Sequence, residues 1–212
     1  MARRDVKELL EDRELPAAVV RRAYRELAAV HRCLGNTAAI VARLKAHPTR
    51  VQTVLDIGCG EGALLQEIRR RLAVNVIGVD LRGAPQAASV PIVAGDAICD
   101  PLPTADVALA VCVAHHLCPV DIVRLIHNVS LSARRLIILD LVRHCIPLLL
   151  FRAFVCPLVS SVTASDGVTS FRRAYTPPEL GAIVASAVHG TGARVVHSVS
   201  PFYLRQIVDI SW

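Results

Sequence analysis

The spacing of apolar residues changes character near residue 50. Before it, Val6 to Leu15 is a short, charged, amphipathic piece. Pro16 suits the first turn of a helix running to about Leu34, and Val19, Val20, Ala23, Leu27, Val30 and Leu34 recur along it at helical spacing. Gly35-Asn36 reads as its stop and Thr37 as the cap of a second helix that ends before His47-Pro48. Beyond residue 50 short apolar runs take over, at Gln52–Asp56, Asn75–Val79, Pro91–Ala94, Asp106–Val111 and Arg135–Leu141. Amphipathic runs at Ala63–Leu72 and Pro119–Leu131 alternate with them, which predicts a doubly wound α/β sheet. The link from Leu81 to Pro91 carries Gly83 and Pro85 and is too short for the usual crossover helix.

The last third is less regular. Cys145 to Thr163 is a mostly apolar run broken by Pro147, Arg152 and Pro157. The prolines and the central arginine argue against a membrane span and predict a buried or interfacial cap helix, with peripheral membrane contact as the alternative. Thr176, Pro177 and Glu179 form a capping-box signature for a helix to about Val188. Arg194–Val199 and Phe202–Ile210 read as two closing strands joined at Ser200-Pro201.

Composition narrows the class. At 212 residues one domain is the default, and its 53% apolar content with only 4% aromatics implies a core of Val, Leu, Ile and Ala. The net charge of +6 comes largely from scattered arginine pairs, which suit solvated helix faces, and no basic block is interleaved with aromatics. Attraction to RNA or anionic lipid is the alternative reading of that charge. The seven cysteines are odd in number and show no CxxC, which reads as reduced core thiols in a cytoplasmic protein. The charged start, Met1-Ala-Arg-Arg-Asp, has no secretory apolar core.

The chemistry concentrates at Val54-Leu-Asp-Ile-Gly-Cys-Gly-Glu-Gly62, an apolar strand that stops on an acid and opens through glycines into a helix. Glycines there let a ligand approach the main chain, and the helix start offers free N–H groups. Gly58-Cys-Gly-Glu-Gly-Ala63 alone also fits the looser dinucleotide pattern. The context is more specific: three successive strand ends deliver Asp56, Asp80 and Asp96 to one sheet edge.

This set, and VLDIGCGEG above all, resembles class I S-adenosylmethionine-dependent methyltransferases, from about Val51 to Trp212. The resemblance implies a Rossmann-like, seven-stranded, mostly parallel sheet with an antiparallel last strand over residues 49–212. It implies an N-terminal helical lid over residues 1–48, or a helical pair that merely packs on the sheet edge, and an apolar insert near 145–175. It implies S-adenosylmethionine as cofactor, held by Asp56, Gly58, Cys59, Gly60, Gly62, Asp80, Leu81, Asp96, Ala97 and Val113. Asp80 would accept from the ribose hydroxyls, Asp96 from the adenine amino group, and Asp56 would orient the loop or hold the methionine amino group. His115 and His116 are the candidate catalytic residues, one of them as base for a phenol or enol acceptor, or both only packing or capping the next helix.

Asp140-Leu-Val-Arg-His144 and Ser165 to Leu180 resemble a bacterial subfamily of small methyltransferases linked to polyketide or quinone-like metabolism. Its substrate candidates fall on Asp140, Arg143, Asp166, Ser170, Arg172, Arg173 and Tyr175, with an Asp166–Arg172 or Asp166–Arg173 structural ion pair as the alternative. The expected partner is a small, apolar, hydroxylated methyl acceptor, with no metal and no nucleic acid. An RNA methyltransferase and a non-catalytic binding module are the two rival classes; the first lacks its usual catalytic signatures here.

Overall fold

The computed structural model describes residues 1–4, 6–12, 14–46, 50–84 and 88–212. After a single helical turn at Leu9–Glu11 come α1 (Ala17–Cys33) and α2 (Asn36–Lys45). The α/β body follows as β1 (Thr53–Ile57), α3 (Ala63–Leu72), β2 (Asn75–Asp80), β3 (Ile92–Ala94), β4 (Val107–Val111), α4 (Pro119–Ser130) and β5 (Arg135–Asp140). It closes with α5 (Cys145–Leu150), α6 (Ser161–Arg173), α7 (Pro177–Ala187), β6 (Arg194–Val199) and β7 (Gln206–Ser211). The seven strands form one sheet in the order β3-β2-β1-β4-β5-β7-β6, with β7 antiparallel to both neighbours and the pairs from β3 through β5 parallel. The expected seven-stranded topology is the observed one.

Strand side chains alternate between two cores, as the period of two demands. Leu55, Ile57, Ala108 and Ile138 pack with Ile122, Leu125 and Ile126 of α4 and Leu180 and Val184 of α7. Val54, Val107, Leu109 and Ile137 pack on the other face with Ile40 and Leu44 of α2 and Leu65 and Ile68 of α3. Each Val, Leu or Ile side chain among them contributes about 1.5–3 kcal/mol by leaving water. The helical pair is therefore half inside the body: α2 closes one core, while α1 reaches α6.

Three local expectations are corrected. The second helix begins at Asn36 behind a left-handed Gly35, so Thr37 lies inside it and not at its cap. It ends at Lys45, before His47-Pro48 as expected. His47, Pro48 and Pro85 lie outside the described residues, and the described part of 81–91 carries turns and no helix, as expected. The apolar run 145–163 is not one helix. α5 gives way to a wide turn at Phe151–Val155 and a tight one at Cys156–Leu158, and the chain goes extended at Val159 and Ser160 before α6 begins. Pro157 cannot continue a helical ladder, and Ser160 caps the new helix. Finally, Phe202 and Tyr203 take left-handed φ values of 58° and 57°, so the last strand starts at Gln206.

The insert packs on itself through Leu148, Phe151 and Phe171, and leaves Leu149, Phe154 and Leu158 exposed. No helix among the described residues is long and apolar enough to cross a membrane. All seven cysteines are free; Cys59, Cys112 and Cys156 are half-buried against the apolar clusters, while Cys33, Cys99, Cys118 and Cys145 are exposed and are not the core thiols expected.

Candidate active site

The parallel strands diverge between β1 and β4, the place where an open α/β sheet leaves a crevice at its carboxyl edge. A cavity of about 1440 Å³ opens there. Two groups of polar residues line it.

The first group grows from the ends of β1, β2 and β3. Gly58 N–H donates to the Val79 carbonyl at 2.8 Å, which starts the loop, and Gly62 N–H returns to the Cys59 carbonyl at 2.9 Å. Gly60 and Gly62 sit at φ 54° and 76°. A Cβ on Gly62 would lie 2.5 Å from the Val90 side chain, and one on Gly60 would lie 2.7 Å from the Tyr24 ring. Only glycine fits there on both counts. Asp80 accepts Gly60 N–H on one oxygen at 2.8 Å and Arg82 N–H on the other at 2.9 Å. Asp96 accepts Ile98 N–H at 2.9 Å, and its own N–H donates to Asp100 at 2.7 Å. Burial pushes the Asp56 carboxyl up to about 8, and the nearby Asp80 carboxylate adds to the rise.

The second group joins the turn after β4 to the N-terminal segment. Ala114–His116 forms one tight helical turn. The His115 ring is buried, with Nδ1 2.7 Å from Asp140, whose other oxygen accepts His115 N–H at 2.8 Å. Nδ1 of His116 lies 2.8 Å from Glu11, which is also paired with Arg173. A carboxylate can only accept, so in both imidazoles Nδ1 carries the proton. The Nε2 atoms face Glu8, at 3.5 Å for His115 and 3.9 Å for His116. Ser170 Oγ donates to Glu8 at 2.6 Å. Burial lowers the His115 ring, but Asp140 and Glu8 outweigh it and raise it to about 9. His116 is lowered by burial and by the charge of its neighbour His115.

The N-terminal segment is pinned across this group. Asp166 takes the N–H groups of Leu9 and Leu10 at 2.7 and 2.9 Å, and Arg82 donates to the carbonyls of Leu10 and Asp12. Tyr24, Leu27, Ala28 and His31 of α1 add a further wall.

The family described as Methyltransferase domain matches residues 21–130, from α1 to the end of α4 and thus the whole glycine loop. The chain belongs to this methyltransferase domain family. Solved structures similar to this methyltransferase chain include the plantazolicin methyltransferase BpumL in complex with S-adenosylhomocysteine, at TM-score 0.66 and 14% identity, covering 92% of this chain and 91% of that one. The plantazolicin methyltransferase BamL matches at TM-score 0.68 and 12% identity, over 90% of this chain and 88% of that one. Human N-acetylserotonin methyltransferase, solved with S-adenosylmethionine, matches at 0.61 and 17%, over 95% of this chain and 61% of that one. No curated protein sequence matches the chain.

Within this methyltransferase, Asp56, Gly58, Cys59, Gly60, Asp80, Leu81, Asp96, Ala97, Val113 and His116 all line the cavity. Gly62 lies just behind it and turns the loop into α3. Of the remaining sequence candidates, Arg173 also lines the cavity and the others stand elsewhere. His115 and Asp140 are locked together behind His116. Arg143 is buried and held by Glu179 at 2.5 Å and by the Met1 and Ala174 carbonyls. Tyr175 donates to the Leu117 carbonyl at 2.7 Å beneath the Arg3 guanidinium. Arg172 accepts Arg4 N–H on its carbonyl and does not line the cavity. Asp166 spends its oxygens on two backbone amides, while Arg173 meets Glu11, so the expected pairing of Asp166 with an arginine gives way to a clasp on the N-terminus. The apolar face of the insert packs on α6 and does not reach the cavity wall. Glu8, Glu11, Tyr24 and His31 are wall residues that the sequence reading passed over. The two glutamates lie in a charged stretch that reads as solvated, and no spacing ties them to residues over a hundred positions away.

Proposed function

We propose that this chain binds S-adenosylmethionine and methylates a small, apolar, hydroxylated metabolite. The observation that carries the reading is one cavity lined both by the acid-and-glycine cradle and by the His116–Glu8–Glu11 group. S-adenosylmethionine supplies the electrophilic methyl carbon and the sulfonium leaving group. An ionised carboxylate has about four acceptor positions. Two on Asp80 hold Gly60 and Arg82, which leaves two for the vicinal ribose hydroxyls. Asp96, steadied by Asp100, accepts from the adenine amino group, and Asp56 faces the methionine ammonium.

The acceptor hydroxyl is placed against His116. The His116 ring reaches the cavity while His115 is sealed behind it, so His116 takes the base role. With Nδ1–H pointing at Glu11, its Nε2 lone pair receives the hydroxyl proton. The acceptor oxygen forms the new bond to the methyl carbon, and the electron pair of the breaking carbon–sulfur bond stays on sulfur. Holding the two reactants in line is the main contribution of the protein. Chains of similar fold include BpumL, solved with a pentazolic desmethylPZN analogue, and a methyltransferase named for N-acetylserotonin, and both fit the reading of a small-molecule acceptor.

Calorimetric titration with S-adenosylmethionine tests the cradle. The wild-type chain binds at micromolar levels, and Asp80→Ala weakens binding by at least about tenfold, or about 1.4 kcal/mol. Equal binding by the two proteins removes Asp80 from the cradle, and no binding by either defeats the proposal.

A further inference from the structure

We propose that Glu8, His115 and His116 form a binding site for one divalent transition-metal cation, of which Zn²⁺ is the type. The candidate ligand atoms, one carboxylate oxygen and two imidazole nitrogens, all lie within 4.8 Å of one another. Both rings point Nε2 at the same carboxylate, at 3.5 and 3.9 Å. Both gaps are longer than the Nδ1 contacts of the same rings, at 2.7 and 2.8 Å; the His115 gap is a weak, long hydrogen bond and the His116 gap lies beyond hydrogen-bond length. Metal bonds of about 2.0–2.1 Å at the tetrahedral angle separate neighbouring ligand atoms by roughly 3.3 Å. Closing the 3.5 and 3.9 Å gaps to that spacing takes roughly 0.2–0.6 Å, and drawing all three ligand atoms in from within 4.8 Å takes a side-chain adjustment of the two rings and the carboxylate as well.

A second, independent feature is the shell behind these atoms. Asp140 holds Nδ1 of His115, Glu11 holds Nδ1 of His116, and Ser170 donates to Glu8. Carboxylate partners on the far nitrogen are the usual means of fixing a ligating histidine and raising its basicity. Three carboxylates also gather around two imidazoles and Arg173, a surplus of negative charge that a cation offsets. Two nitrogens and one oxygen suit zinc, iron(II), cobalt(II) or manganese(II), and disfavour magnesium and calcium, which take oxygen shells. Glu8 and His116 line the cavity, so the open coordination position faces the proposed acceptor. The inference rests on the methyltransferase reading only for its role. With a cation bound, the Nε2 lone pairs of His115 and His116 would hold it, and the cation would supply Lewis acidity that lets the acceptor hydroxyl lose its proton to water, in place of the base role of His116 in the metal-free chain.

The test uses the full chain, stripped with a chelator and titrated with Co²⁺ while visible absorption is recorded, with Zn²⁺ as competitor. The expected result is saturation at one equivalent, with ligand-field bands of nitrogen and oxygen donors and no thiolate-to-cobalt charge transfer. Glu8→Gln and His116→Gln weaken binding at least about tenfold. Glu11→Gln, which touches no metal, weakens it about 10–100-fold. Circular dichroism checks the fold of each variant. His116→Gln alone decides the matter if the Glu8 variant does not fold, since its ring is one-third exposed. Absence of saturable binding overturns the proposal, and so does binding that His116→Gln leaves unchanged or that shows thiolate charge transfer. S-adenosylmethionine calorimetry on the same stripped sample keeps the two readings apart, because cofactor binding without metal binding defeats this site and leaves the cradle standing.

Discussion

Asp56 ends β1 at 2% exposure, with a carboxyl pushed up to about 8 by burial and by Asp80. In the unfolded chain the same group titrates near ~3.9. Between those values the folded protein holds a proton that the unfolded chain has lost. Its contribution to stability is therefore complete below about pH 4 and is lost as pH rises through about 8. Urea titrations at pH 5 and pH 8.5 should show wild type losing stability across that interval more steeply than Asp56→Asn. A ligand ammonium placed against Asp56 favours the ionised form. Calorimetry at pH 7 in buffers of different ionisation heat should then show release of up to about one proton per S-adenosylmethionine bound, and none for Asp56→Asn.

At the scale of elements, α6 begins where four hydrogen-bonding groups meet Glu26 of α1. Its carboxylate accepts Ser160 N–H at 2.9 Å and the Ser160 and Thr163 hydroxyls at 2.6 Å each, and it pairs with Arg22. Burial opposes its ionisation, but these donors win and lower it to about 2. Its contribution is present above about pH 4.3, its ordinary value, and disappears as pH falls through about 2. Glu26→Ala should lower stability by about 1–3 kcal/mol at pH 7 in thermal melts, with the difference from wild type shrinking toward pH 2. This helix also marks where the sequence stopped being readable. Strands β1, β4 and β5 stand out as short continuous apolar runs buried on both faces, and helices α3 and α4 because each buries one face with a regular period. In α6 Ser, Thr, Asp and Gly outnumber the apolar residues, and its partners, Glu26 and the N-terminal turn, are distant in the chain. The cradle was legible for the opposite reason, since local backbone geometry demands glycine and acid at fixed spacing. The polar wall of the cavity was legible only at His116 and Arg173, because Glu8 and Glu11 gain their meaning from contacts made across the fold.

For the molecule as a whole, the N-terminal segment acts as a strap between the cradle side, through Arg82, and α6, through Asp166. Removing one clasp should loosen the strap without unfolding the sheet, whose two cores do not include it. In Asp166→Ala the amides of Leu9 and Leu10 should exchange with deuterium at least about tenfold faster, while those of β4 and β5 stay as slow as in wild type. Unchanged exchange at Leu9 and Leu10 would show that the remaining clasps, among them Arg82 on Leu10 and Asp12, Arg173 on Glu11 and Ser170 on Glu8, secure the strap without Asp166. The sheet order carries one more consequence. β7 lies between β5 and β6 although it follows both in the chain. During synthesis on the ribosome, β6 emerges with no partner to pair with, because the strand that joins it to β5 has not yet been made. The nascent chain must wait with the open edge of β5 exposed, and a chaperone that shields such edges would serve this protein at that moment more than at any other.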